Sequence, residues 1–114
     1  MPYLKLETNV SATEAEADAL MRELSSVVSS VTGKPENVVQ VVVVCGARMM
    51  KAGTVDPTAH IDFKAIAFDE AKAPALSKEL CMTLEKRLGI RGDRVFIAFS
   101  SYKGSMWGVD GRTF

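Results

Sequence analysis

Behind Met1 stands Pro2, at the head of an apolar segment, and no other residue of this chain so plainly invites chemistry. A small second residue normally permits removal of the initiator, which would leave a secondary amine at Pro2. An ordinary α-amine titrates near ~7.7–8.0, and an apolar pocket lowers that value by disfavouring the charged form. Such an amine would be a neutral base at working pH. The other reactive types are sparse. Cys45 and Cys81 lie far apart without a CxxC or a metal-ligand spacing, and His60 is the lone histidine. Neither a metal site nor a disulfide scaffold is expected from them.

Fourteen Lys and Arg balance fourteen Asp and Glu, so no basic surplus suggests nucleic acid and no acidic tail suggests a charged partner. A small molecule or another protein is the expected partner. Nothing at the N-terminus combines a basic segment with a long apolar run, and no stretch approaches the ~20 apolar residues of a spanning helix. A cytoplasmic protein without membrane insertion is expected.

The elements that must position Pro2 read as one unit used twice. Residues 3–8 alternate as a strand does, and Ser11 with Glu14 forms a capping-box signature for the helix that follows. Leu20, Leu24, Val27, Val28 and Val31 recur at helical spacing. Gly33 supplies a left-handed cap, and Pro35 forbids continuation. Residues 38–45 read as a second strand and His60 to Phe68 as a third. Leu76, Leu80, Leu84 and Leu88 stripe a second helix closed by Gly89, before a last strand over Val95 to Ser100.

The expected fold class is therefore α/β: two βαβ units forming a four-stranded mixed sheet with two helices on one face. Residues 1–114 make a single domain, a pseudo-repeat of two halves at about 1–56 and 57–114. Right-handed units sharing a sheet put both helices on the same side, leaving the other face uncovered. Val38, Val39 and Val41 to Val44 make the second strand apolar on both sides, the mark of a strand buried on both faces. The uncovered face is accordingly expected to be dry and covered by other subunits, in an obligate oligomer.

Met1-Pro2, Asn9-Val10, Gly33-Lys34-Pro35, Gly53-Thr54-Val55-Asp56-Pro57, Asp93-Arg94-Val95 and Asp110-Gly111-Arg112-Thr113-Phe114 together resemble the macrophage migration inhibitory factor and D-dopachrome tautomerase family. The resemblance spans essentially the whole chain in order. It implies the tautomerase fold, assembled as a homotrimer with active sites at subunit interfaces, and a keto–enol tautomerase that needs no metal and no cofactor. It implies a small aromatic α-keto acid or a dopachrome-like compound as substrate. Pro2 matches the family's catalytic base and Lys34 the lysine that binds the substrate carboxylate. Ile66 matches the position whose backbone N–H meets that carboxylate. Tyr3, Val38, Phe96, Trp107, Val109 and Phe114 fall at or near family pocket positions. Taken by itself, Lys34 is a cation near a helix C-terminus, where positive charge is favoured anyway.

The departures shape the expectations. The usual pocket tyrosine is Phe96 here, and the family asparagine two residues on is Ala98. A buried hydroxyl without a partner costs ~1–3 kcal/mol. Phenylpyruvate-like substrates should therefore be preferred over para-hydroxy analogues, and equal catalytic efficiency on the two would defeat that reading. Thr58-Ala59-His60-Ile61 replaces a CxxC found in some members, so thiol–disulfide chemistry by that motif is not expected, and His60 reads as a surface strand residue. The family also contains cytokine-like ligands that leave cells without a signal peptide. The alternative role is thus a secreted ligand of a cell-surface receptor with a vestigial site. Hydration, dehalogenation or decarboxylation, as in the wider superfamily, would recruit an arginine beside the proline. Arg48 and Arg91 are the only loosely placed candidates.

Overall fold

Thr13, rather than Ser11, starts the first helix. Its backbone is extended (φ −69°, ψ 163°), its hydroxyl accepts from the Glu16 N–H at 3.2 Å, and its own N–H donates to Glu16 Oε1 at 3.0 Å. The capping box is real but lies two residues downstream of the Ser11–Glu14 reading, because only Thr13 has the cap conformation directly before the first helical turn. Hydrogen bonding from Thr13 to the carboxyl, first through its backbone N–H and second through its side chain, holds Glu16 below the usual carboxylate range. In the computed structural model, which describes residues 1–114, α1 runs Glu14–Thr32 and ends on Gly33 at φ 74°, a left-handed cap that glycine adopts without strain.

Strand β1 (Tyr3–Thr8) pairs in parallel with β2 (Gln40–Val44) and antiparallel with β3 (Ala59–Ile66), which pairs in parallel with β4 (Val95–Tyr102). The sheet order is β2-β1-β3-β4, as two joined βαβ units require. Strand β2 is shorter than residues 38–45, because Glu36–Val38 form a 3₁₀ turn first. Strand β3 stops at Ile66 instead of Phe68, because Ala67 turns to φ 49° and breaks the extended run. Helix α2 spans Ala73–Leu88 and closes on Gly89. A two-stranded hairpin, β5 (Gly108–Val109) and β6 (Arg112–Thr113), was not expected. Its turn is Asp110-Gly111, both at positive φ, which is the strongest short hairpin signal a sequence offers.

Leu20, Leu24 and Val28 of α1 and Leu76, Leu80 and Leu84 of α2 are buried with Leu4, Leu6, Ile61 and Phe63 in one core. Fully buried residues alternate with half-buried or exposed ones along β1 and β3, so both helices cover one side of the sheet. The other side corrects the expectation of a dry face. Lys5 sits opposite Asp62 and Glu7 opposite His60, while Lys64 lies 3.4 Å from Asp62 and covers the Tyr3 ring at 5.7 Å. Val42 and Val44 of β2, Ile66 of β3, and Phe96 and Ala98 of β4 are its apolar positions. The reading failed because it took the face from β2 alone, whereas the central strands β1 and β3 carry its charges.

Three of the motifs singled out in the sequence meet at the Thr8 end of the sheet. Asn9 Nδ2 donates to the Val55 and Asp56 carbonyls at 3.0 and 3.1 Å, and Asn9 Oδ1 accepts from the Thr58 N–H at 2.9 Å. Arg94 Nε donates to the Pro57 carbonyl at 2.8 Å and its Nη2 to that of Asp56 at 3.1 Å. Asn9 and Arg94 thus clamp the 53–57 loop from two sides, satisfying carbonyls that a loop otherwise leaves to water. Their role is architectural.

Candidate active site

Pro2 lies at the opposite end of β1 and is buried. Its carbonyl accepts from the Gln40 N–H at 3.0 Å, which ties the chain start to β2. Since Tyr3 pairs with Lys64, the register carries Pro2 opposite Ala65 and onto the helix side of the sheet. Two clefts meet there. The first, about 110 Å³, is lined by Pro2, Thr32, Lys34, Ala65, Ile66, Ala67, Phe68, Asp69 and Lys72. The second, about 230 Å³, is lined by Met1, Pro2, Asn37, Val38, Val39, Gln40 and Trp107.

The first cleft exists because two chain reversals face each other. Helix α1 must stop at Gly33, which delivers Lys34 to the sheet end. On the other side Ala67, at φ 49°, lets β3 turn back, with its N–H held by the Tyr102 carbonyl at 2.9 Å and the Phe68 N–H held by Ser101 Oγ at 2.9 Å. Phe68 then stacks on Phe99 at 5.6 Å and meets the buried Phe63 edge-on at 5.0 Å. Beyond it, Asp69 accepts from the Ala71 N–H at 3.0 Å and starts the turn into α2.

Electrostatics at the chain start favour a neutral amine. The α-amine of Met1 is held below its ordinary value, first by burial and second by the positive charge of Lys34. Both causes disfavour the ammonium form. Burial also pushes the Cys45 and Cys81 thiols up, the latter against a hydrogen bond from Ser77, so neither is poised as a thiolate nucleophile.

Over its whole length, residues 1–114, the chain matches the model of the family described as macrophage migration inhibitory factor. The chain belongs to the macrophage migration inhibitory factor family. Among its relatives is macrophage migration inhibitory factor of Rattus norvegicus, 33% identical over 115 residues, which span 100% of this chain and 99% of that protein. The crystal structure of the family homologue from Prochlorococcus marinus superposes with a TM-score of 0.92 at 34% identity, covering 98% of each chain. The family protein of Entamoeba histolytica gives 0.94 at 29% identity, over 99% of this chain and 98% of that one. The four-stranded mixed sheet with two helices is the fold that these family structures share.

Of the residues that the family resemblance marked, one copy of the chain brings together Pro2, Lys34, Ile66, Val38 and Trp107. Ile66 lies two residues past the last β1 pair, beside the start of the chain. Tyr3 does not join them: it follows Pro2 but faces the charged side of the sheet, under Lys64. Phe96 is level with His60 and Glu7, five residues along the strand from Pro2, or about 16 Å at 3.3 Å per residue. It is exposed, with Lys51 Nζ 4.8 Å from its ring centroid. Val109 and Phe114 line neither cleft. Phe114 is held by its N–H on the Trp107 carbonyl at 3.2 Å and presses on Gly104, where an added Cβ would come within 3.1–3.4 Å of it. Arg91 pairs with Asp93 at 2.5 Å, and Arg48 lines a separate cleft with Asn9 and Val55. Within one copy neither arginine lines the clefts at Pro2.

Sequence reasoning missed Lys72, Phe68 and Asp69. Asp69 ahead of a helix start is a cap signal that was open to reading. No local signal marks Lys72, whose partner is 40 residues away.

Proposed function

We propose that this chain is a cofactor-free keto–enol tautomerase of small 2-oxo acids, of phenylpyruvate or dopachrome type, with Pro2 as general base once Met1 is removed. The observation that carries this reading is the position of Pro2, buried where a lysine-bearing cleft meets one walled in part by Val38, Val39 and Trp107. The cationic cleft suits the 2-oxo carboxylate head, with Lys34 and the Ile66 backbone N–H as its anion holders. The Val38, Val39 and Trp107 side suits the carbon skeleton. An amine of lowered pKa abstracts the proton, and nearby donors stabilise the enolate that develops. The fixed ring of proline aims the nitrogen, which reduces what must be ordered in the transition state.

Phe96 lies too far along the sheet to reach Pro2 of its own chain, so its pocket role requires a second copy. A homotrimer with intersubunit sites meets that requirement, and exposed Val44, Met50, Val55 and Phe96 offer apolar surface for it. The relatives' name, macrophage migration inhibitory factor, supports a second role as a factor that acts on cells, for which a cell-surface receptor is the partner proposed. The cytoplasm, with export by a signal-independent route, is the location that fits both roles.

Turnover of phenylpyruvate and D-dopachrome methyl ester by protein with an authentic Pro2 N-terminus tests the enzymatic reading. The pH profile adds a charge test. Because the base must be neutral and Lys34 disfavours its charged form, kcat/KM should rise with pH through a value below the ordinary α-amine range. Lys34→Ala should move that acidic limb to higher pH and raise KM for the carboxylate substrate. An unmoved limb would remove Lys34 from the electrostatics of the base.

A further inference from the structure

The lysine-bearing cleft brings a second cation beside the first, with one carboxylate in the same lining. Lys72 lines it beside Lys34, and both are fastened to the same residue at the end of α1. Lys72 Nζ donates to the Thr32 carbonyl at 3.1 Å, and the Lys34 N–H donates to Thr32 Oγ1 at 3.3 Å. That carbonyl is among those a helix end leaves unpaired. An ammonium has three N–H donors, so Lys72 keeps two after this bond. Asp69 is the one acidic residue of the lining, and its carboxylate is engaged by the Ala71 N–H at the start of the turn.

Size and charge then narrow the ligand. At about 110 Å³ the cleft has room for the two-carbon head group of a 2-oxo acid. Enolisation of a 2-oxo acid changes the charge of that head group. The C–H bond beside the carbonyl breaks, its proton goes to the Pro2 nitrogen, and its electron pair forms the C=C bond. The carbonyl π pair moves to oxygen, so a monoanion becomes a planar dianion, and return of the proton to that oxygen gives the enol.

We propose that Lys34 and Lys72 form a two-cation site for this dianion, with Lys72 the second cation, so that the carboxylate and the adjacent enolate oxygen of a deprotonated 2-oxo acid are held together. The inference rests on the tautomerase reading and adds to it a residue whose contribution grows as the second charge develops, the condition for lowering a barrier instead of merely tightening binding.

Oxalate is a stable dianion of this size that can turn about its C–C bond to lie flat, and glycolate is its singly charged counterpart. Calorimetric titration of both into the full-length protein should show oxalate binding at least about tenfold more tightly, as expected for one added charge-assisted contact. Lys72→Gln should erase the preference, Lys72→Arg should keep it, and Lys34→Gln should weaken both ligands. With phenylpyruvate, Lys72→Gln should lower kcat by about tenfold or more with little change in KM. A purely structural role on Thr32 would alter stability and leave the oxalate-to-glycolate ratio alone. The proposal is overturned if the native protein shows no oxalate preference, or if Lys72→Gln preserves it. Lys72-dependent oxalate binding without any turnover would support the two-cation site while defeating the tautomerase reading, and turnover without an oxalate preference would do the reverse.

Discussion

Protein that retains Met1 is expected to lose tautomerisation by about 10²–10⁴-fold in kcat/KM, the range that a positioned general base contributes. With Met1 in place the Pro2 nitrogen is an amide with no lone pair to offer, and the only amine stands one residue farther out. That amine still has its pKa lowered by burial and by Lys34, so the comparison isolates position from basicity. Pro2→Gly, processed to a free N-terminus, is expected to lose less than the Met1 form. It keeps an amine in place but surrenders the ring that aims it. Steady-state rates on phenylpyruvate, with the N-terminus of each preparation established by mass spectrometry, decide the matter. Full activity in the Met1 form would exclude Pro2 as the base. Receptor binding retained by Pro2→Gly alongside lost catalysis would make the site incidental to a ligand role.

Phe63→Ala is expected to cost about 3–5 kcal/mol of stability, the range for emptying a buried aromatic position. Phe63 is fully buried at the centre of β3, touching Phe68 at 5.0 Å and Phe99 at 5.8 Å between ring centroids. Truncation forfeits the transfer free energy of the ring and leaves a cavity that two rigid neighbours cannot fill. Because Phe68 lines the lysine cleft, the same change should also loosen the turn that carries Asp69 and Lys72. Chemical denaturation measures the first effect, and oxalate affinity of the folded fraction measures the second. A loss below about 1 kcal/mol would show that the core collapses around the site more freely than close packing allows.

The path from sequence to fold was short where the signals were local. Alternation over Tyr3–Thr8, the leucine spacing of α2, and glycine caps at Gly33 and Gly89 each depend on neighbours within a turn or a strand, and they fall where the pattern puts them. Boundaries slipped where two local candidates competed, as Ser11 did with Thr13. The end of β3 also slipped, because a non-glycine residue, Ala67, takes a left-handed conformation that apolar patterning does not announce. The Asp110-Gly111 hairpin was legible and went unread.

Pairings across the chain were not legible. Asn9 and Arg94 read as parts of a family pattern, and only the fold shows that they grip the same loop and share its Asp56 carbonyl. The side of the sheet away from the helices looked dry from β2 and is charged, because register decides which residues of β1 and β3 share that side. The sequence by itself determined the two βαβ units and the nomination of Pro2, because each rests on residue type and on neighbours close in the chain, and the family, whose pattern in turn nominated Lys34. The tertiary structure alone decided that Lys72 joins them while Phe96 of the same chain stands apart. Both depend on where the end of α1, the turn after β3 and the strand registers fall in space, contacts made across tens of residues that no local pattern encodes.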